Sequence, residues 1–221
     1  MKTIEILTPG LVDYKVAWDL QKSLVGKLLE SGKDERMDKM KLILLEHPHV
    51  YTMGMHGNDE NLLFNEQLLK SIGATYYKIE RGGDVTYHGY GQLVGYPIID
   101  LDYLKIGIKE YIFRIEESII RTIAEYGIKG ERDESAIGVW LDSGKSGARK
   151  ICAIGVKVTR FVTMHGLAFN ITTNLDYYRY INPCGFVDRG VTSIEKESGL
   201  KPSVEEVAKK YAGHFKEVFA L

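Results

Sequence analysis

Little in this sequence supports a fold held by anything other than its own core. There are two cysteines, Cys152 and Cys184, in 221 residues. A secreted disulfide framework uses more, so a reducing compartment is expected. Five prolines build no linker, and no low-complexity tract or repeat marks a boundary, so residues 1–221 read as one domain. No apolar run approaches the ~18 residues that a membrane span needs. The stretch Met1 to Leu7 turns polar too early for a secretory leader. The expectation is a cytoplasmic location and no membrane contact. Neither sign of charge dominates: 29 basic and 30 acidic side chains leave a net charge of −1, which provides no global field for nucleic acid.

What is present is a globular balance, with 44% hydrophobic and 27% charged residues, enough to bury a core without staples. Ile4 and Ile6 alternate with polar residues as in a strand, and Pro9-Gly10 reads as a turn. Val16, Ala17, Leu20, Leu24 and Leu28 recur at helical spacing from Tyr14 to about Glu30, with Gly32 a candidate C-cap. Residues 34–41 read as an exposed connection. Leu42–Leu45 and Val50–Met53 read as strands, 61–69 as a short helix, and Thr75–Ile79 as a strand. Residues 92–101 read as a strand that Pro97 makes irregular or pushes to an edge. Ile112, Ile115, Ile119 and Ile123 define a helix over 109–126. Val139–Leu141 reads as a strand, and Lys150–Thr159 with Val162–Asn170 as a hairpin. Ser203 with Glu206 three residues on is a capping box that opens a last helix. Helices and strands alternate without a βαβ rhythm, so the pattern favours an α+β fold over a doubly wound parallel sheet.

Three segments carry chemistry. Arg81-Gly82-Gly83-Asp84-Val85-Thr86-Tyr87-His88-Gly89-Tyr90-Gly91 has four glycines in eleven residues. It reads either as a loop whose backbone approaches a ligand or as a tight bend at a sheet corner. It matches neither a Walker loop nor Gly-x-Gly-x-x-Gly. Thr86-Tyr87-His88-Gly89 is echoed by Thr163-Met164-His165-Gly166, which sets two histidines where strand ends could share a cleft. His47, His49 and His56 lack acidic or thiol companions at metal-ligand spacing. If Lys150 to Val158 is one unbulged strand, Lys150 shares a face with Cys152, Ile154 and Val156 and is pressed toward desolvation; otherwise it snorkels to water. Cys152 in an apolar strand reads as a small hydrophobe. Cys184, between Pro183 and Gly185, has less packing reason to be there, and a nearby cation would raise its thiolate fraction.

At these residues the chain resembles the lipoyl(octanoyl) transferases. Arg81 to Gln92 resembles the family's Arg-Gly-Gly-x-Val-Thr-Tyr-His-Gly-Pro-Gly-Gln. Lys150-Ile151-Cys152-Ala153-Ile154-Gly155, continuing to Thr163-Met164-His165-Gly166-Leu167-Ala168-Phe169-Asn170, resembles its second block, and Asn182-Pro183-Cys184-Gly185 its Pro-Cys-Gly turn. The match spans roughly residues 40–190, with a fainter contribution from Leu45 to Gly54. Tyr90 stands where the family usually has proline, and the loop Asp142 to Arg149 is longer and richer in glycine than expected.

The resemblance implies a mixed β-sheet with a smaller second sheet, flanked by helices, similar to the biotin- and lipoate-protein ligase catalytic domain. It implies Cys184 as nucleophile and Lys150 as its activating partner. Substrate-binding positions would be Arg81 to His88, Ala153 to Gly155, and His165 to Ala168. The implied donor is octanoyl-acyl carrier protein. The implied acceptors are lipoyl domains of 2-oxoacid dehydrogenase E2 subunits and the glycine cleavage H protein, with neither ATP nor metal required. Two alternatives stand beside it: an ATP-dependent lipoate-protein ligase of the same fold, which needs no cysteine at 184, and a non-catalytic module that binds carrier domains or acyl chains. Because a carrier protein is acidic, Lys145, Arg149, Arg179 and Arg189 are expected to rim the active-site mouth and steer it.

Overall fold

The computed structural model describes residues 3–182 and 189–221. The apolar run Leu42–Leu45 forms β2 (Lys41–Glu46) with its four central residues buried. It is covered on one side by β1 (Glu5–Leu11), in parallel, and on the other by β6 (Gln92–Ile98), antiparallel. The hairpin of β9 (Arg149–Thr159) and β10 (Val162–Asn170) continues the sheet from β6. It is extended by β8 (Gly138–Leu141) and the short β7 (Glu131–Arg132). Where β10 ends, β11 (Gly190–Val191) takes its place beside β9, pairing Gly190 with Arg149 and Val191 with Lys150.

A smaller sheet, ordered β4-β3-β5, comprises β3 (Val50–Met53), β4 (Thr75–Lys78) and β5 (Val85–His88). Its own core is aromatic: Tyr51 and Tyr87, with Phe64 and Tyr177 packed on them. The large sheet is backed by α1 (Tyr14–Glu30), α4 (Ile108–Ala124) and α6 (Val204–Phe219), whose apolar stripes join one core with the strands. The short helices are α2 (Arg36–Lys39), α3 (Glu66–Ser71) and α5 (Ile194–Ser198). The fold is thus a mixed sheet with a smaller second sheet and flanking helices, as the pattern and the resemblance led one to expect.

Several local expectations differ. Pro9-Gly10 makes no turn; both residues lie in β1, which absorbs them as a register shift between Leu7 and Gly10. Ser31, not Gly32, caps α1. The segment 34–41 holds a helical turn that buries Met37, and the third helix starts at Glu66 rather than near residue 61. Pro97 sits inside an interior strand, not at an edge. There the carbonyl of Pro97 accepts from Thr163 Oγ1 at 2.7 Å, and the His165 N–H donates to Gln21 Oε1 of α1 at 2.9 Å. Side chains thus satisfy groups that a ladder without a proline N–H cannot. Ser203 does accept from the Glu206 N–H, but the Glu206 carboxylate accepts from Tyr126 instead of closing the capping box.

Candidate active site

The connection from β4 to β5 carries the glycine-rich segment across the face of β9. The Gly82 N–H donates to the Val156 carbonyl at 2.9 Å. At the crossing, a Cβ on Gly155 would lie 3.0 Å from the Gly82 carbonyl and 3.1 Å from Arg81 Cδ. Any larger residue at 155 would press the Gly82 carbonyl and Arg81 outward by a few tenths of an ångström. Between loop, strands and the start of α4 is a cavity of about 1100 Å³.

Of the residues expected to bind substrate, Arg81, Gly82, Gly83, Asp84, Val85, Thr86 and His88 line this cavity, as do Ala153, Ile154, Gly155, His165, Gly166, Leu167 and Ala168. Tyr87 does not. Its side chain lies in the smaller sheet's core, where its ring stacks on Tyr177 at 5.0 Å and its hydroxyl meets His49 Nδ1 at 2.7 Å. Sequence reasoning missed Tyr14, Tyr96, Glu116, Arg132 and Trp140, which also line the cavity. The signals were weak: an aromatic at the start of α1, and a carboxylate on the buried stripe of α4.

Arg81 is buried, and its guanidinium donates to the Thr52 carbonyl at 2.6 Å and to Thr52 Oγ1 at 3.1 Å, which ties the loop to β3. Asp84 accepts from Asn61 at 2.5 Å. The two Thr-x-His-Gly histidines both line the cavity. His88 is buried, with Nδ1 2.9 Å from Gln92 Oε1. The Gln92 amide itself donates to the Tyr87 and Asn170 oxygens, so its Oε1 accepts and His88 Nδ1 carries the proton. His165 adopts the left-handed region, φ +61°, and among the described residues neither ring nitrogen has a hydrogen-bond partner. Burial, then the Arg81 charge, lowers its pKa to about 3, and burial holds His88 well below the ordinary imidazole range. Both rings are neutral near pH 7. His47 is spoken for structurally, between the Val12 carbonyl at 2.6 Å and the Tyr96 hydroxyl at 2.8 Å.

Lys150 reaches the cavity by a route the simple strand pattern did not contain. Val139 pairs with Cys152 and Trp140 with Lys150, so β9 carries one extra residue, Ile151. This bulge breaks the alternation. Ile151 and Cys152 both enter the core, whereas Lys150 lines the cavity with Ala153 and Gly155. The expectation that Lys150 shares a face with Cys152 is corrected accordingly. Lys150 Nζ lies 4.6 Å from the Trp140 ring centroid and donates to the Ile137 carbonyl at 3.0 Å. Cys152 is fully buried, and burial pushes its thiol pKa up, which suits a core hydrophobe and not a nucleophile. Cys184 lies outside the described residues. Asn182 and Arg189, on either side of its segment, both line the cavity.

A lysine at an apolar cavity between two sheets, reached by a glycine-rich loop, invites comparison with known proteins. Residues 13–216 match the family model "Lipoyl protein ligase A/B catalytic domain". The chain belongs to that family. An octanoyltransferase from Bacteroides fragilis strain YCH46 is 48% identical over 200 residues, 90% of each chain. One from Christiangramia forsetii is 46% identical over 99% of this chain and 96% of its own. Such relatives, matched nearly end to end, make the chain an acyltransferase. Among solved structures, lipoate-protein ligase A bound with ATP superposes with a TM-score of 0.77 at 15% identity, covering 99% of this chain and 86% of that one. Biotin protein ligase from Aquifex aeolicus gives 0.52 at 11%, covering 100% and 69%. At these identities the likeness concerns the fold.

Proposed function

We propose that this acyltransferase takes an octanoyl group from the thioester of an acyl carrier protein onto Cys184 and passes it to a lysine of a lipoyl domain. Lipoyl domains of 2-oxoacid dehydrogenase E2 subunits and the glycine cleavage H protein are the acceptor class. The supporting observation is Lys150: it lines the cavity, and the strand that follows the Cys184 segment runs beside it, Val191 paired with Lys150. The octanoyl relatives give the acyl group its identity.

In this reading Lys150 takes the thiol proton as Cys184 attacks the donor carbonyl. The carrier thiolate departs and takes that proton from Lys150, leaving an acyl-Cys184 thioester and a neutral Lys150. The neutral acceptor amine then attacks that thioester; an amide forms, the C–S bond breaks, and Lys150 relays the amine's proton to the leaving thiolate. The acyl chain lies along Tyr14, Tyr96, His88 and His165, whose neutral rings suit an apolar tail. The thioester is already activated, so ATP is not a reactant, and no metal is needed. The chain acts in the cytoplasm as a single domain. Among the described residues no helix is long and apolar enough to cross a membrane.

Intact mass spectrometry tests the reading. Incubation with octanoyl-carrier protein should add one octanoyl group to Cys184, and adding an apo lipoyl domain should move it to that domain's lysine. Acylation that requires ATP and free octanoate, with release of pyrophosphate, would establish ligase chemistry instead.

A further inference from the structure

α4 presents a buried apolar stripe of Tyr111, Ile115, Ile119 and Ile123, and among these residues one carboxylate is also buried, Glu116. Nothing in helix formation asks for it there, and burying an acid is unfavourable unless it is partnered. Glu116 Oε1 accepts from the Gly138 N–H at 3.1 Å, and Oε2 lies 3.4 Å from Arg132 Nε. The Ile137 carbonyl, which accepts from Lys150 Nζ at 3.0 Å, belongs to the same peptide unit as the Gly138 N–H. In a trans peptide these two groups point opposite ways. Lys150 and Glu116 therefore sit at the two ends of one peptide dipole, which the carboxylate polarises toward the ammonium.

That peptide leads into β8, where Gly138 pairs with Ala153 of β9, so the sheet holds it from the Gly138 side. Ile137 exposes its side chain and Gly138 has none. Gly138 has φ +133°, and a Cβ there would lie 2.5 Å from the Cys152 carbonyl and 3.3 Å from Lys150 Cδ and Cε. The glycine lets the peptide come between the two charged groups, and the two hydrogen bonds set its rotation.

We infer that Glu116 is the positioning residue of Lys150, acting through the Ile137–Gly138 peptide to hold the amine on the cavity face and to favour its charged form. The inference rests on the catalytic reading of Lys150. Among the described residues, the ionisable groups lining this end of the cavity are Lys109 and Glu116 from α4, Arg132, Asp133 and Glu134 around the end of β7, Arg189, and Lys150 itself. Asp133 is paired with Arg189 at 3.0 Å and Arg132 with Glu117 at 2.6 Å, Arg132 also lying 3.4 Å from Glu116; of these charges Glu116 is the one that hydrogen-bonds the Gly138 N–H. Consistent with this, burial raises the Glu116 pKa, while the Gly138 N–H, Arg132 and Lys150 act in the opposite direction.

The test is the pH profile of single-turnover acylation of Cys184 by a small octanoyl thioester. Glu116→Gln keeps an oxygen for Gly138 and removes the charge. Its acidic limb, along which Lys150 loses the proton that bars it from acting as base, should move down by about one pH unit, because a nearby opposite charge no longer favours the ammonium. KM for the small thioester should stay within about twofold. If Glu116→Gln fails to fold, Arg132→Gln serves: the uncompensated carboxylate should move the limb up. An unshifted limb in the variant that folds, with Lys150→Ala inactive, overturns the positioning role and leaves the proposed function standing. Wild-type acylation by Lys150→Ala overturns the catalytic reading of Lys150 and the inference with it.

Discussion

Cys152 and Lys150 are two residues apart, and what separates their chemistry is a single inserted residue, Ile151. The Cys152 thiol is held protonated in the core, so Cys152→Ser should still accumulate octanoyl-enzyme, with a stability loss of about 1–3 kcal/mol from the buried hydroxyl. Cys184→Ser should accumulate no labile thioester adduct. Peptide mapping of the acyl group decides between the two thiols, and an adduct on Cys152 would reverse the assignment. At Lys150, the arginine variant should rescue poorly. A guanidinium stays protonated and cannot accept the thiol proton, so single-turnover rates for both half-reactions should fall by about a hundredfold or more. Wild-type rates in Lys150→Arg would leave that side chain a charge role alone.

Elements decide where these side chains point. The glycine-rich segment was legible as a ligand loop or a sheet corner, and it is both, since its backbone crosses β9 where a cavity opens. Gly155→Ala should push the Gly82 carbonyl and Arg81 away from the strand. Acylation by the small thioester should slow by about tenfold, since small misplacements of a binding loop are expensive in rate. Unchanged kinetics would mean that the loop adjusts freely. The last helix offers a control. Ser203→Ala removes the oxygen that accepts from the Glu206 N–H, so urea denaturation should show a loss of about 1 kcal/mol with activity unaffected. Legibility at this scale followed periodicity. α1, α4, α6 and the β9–β10 hairpin were readable because each repeats its pattern over many residues. The two-residue strands β7 and β11 were not, because they are defined by the neighbours they pair with.

For the whole molecule, charge and pH matter through burial. Four cations were expected to rim the mouth; of these, Arg189 lines the cavity itself and is paired with Asp133. Arg149 is committed to Asp142 at 2.7 Å and to Glu197 at 2.5 Å, joining the 142–149 loop to α5. Arg149→Ala should therefore cost about 1–2 kcal/mol of stability and leave the salt dependence of KM for the carrier protein unchanged; a flattened salt dependence would restore the steering role. The buried histidines give a second expectation. Burial lowers the pKa of His47 to about 4 and of His165 to about 3, and puts His88 well below the usual range. The unfolded chain, with imidazoles near ~6.5, binds more protons below that pH, so these groups contribute fully above it. Stability should fall as pH drops through about 6 toward 4. Urea titrations at a series of pH values should show this slope, and His165→Asn should lessen it; a flat profile for the wild type would contradict it.

What the sequence determined by itself was local and chemical: an α+β alternation, the long helices, the hairpin, and three blocks whose residue types and order mark a lipoyl(octanoyl) transferase. Such features depend on near neighbours and on side-chain identity, which a string of residues carries. Tertiary structure decided the rest. It moved Lys150 off the Cys152 face through one bulge and turned Tyr87 into an aromatic core. It also tied Arg149 into ion pairs and set Glu116 behind Gly138. Each of these depends on which distant segment lies opposite, and register, burial and dielectric exist only once the chain has folded.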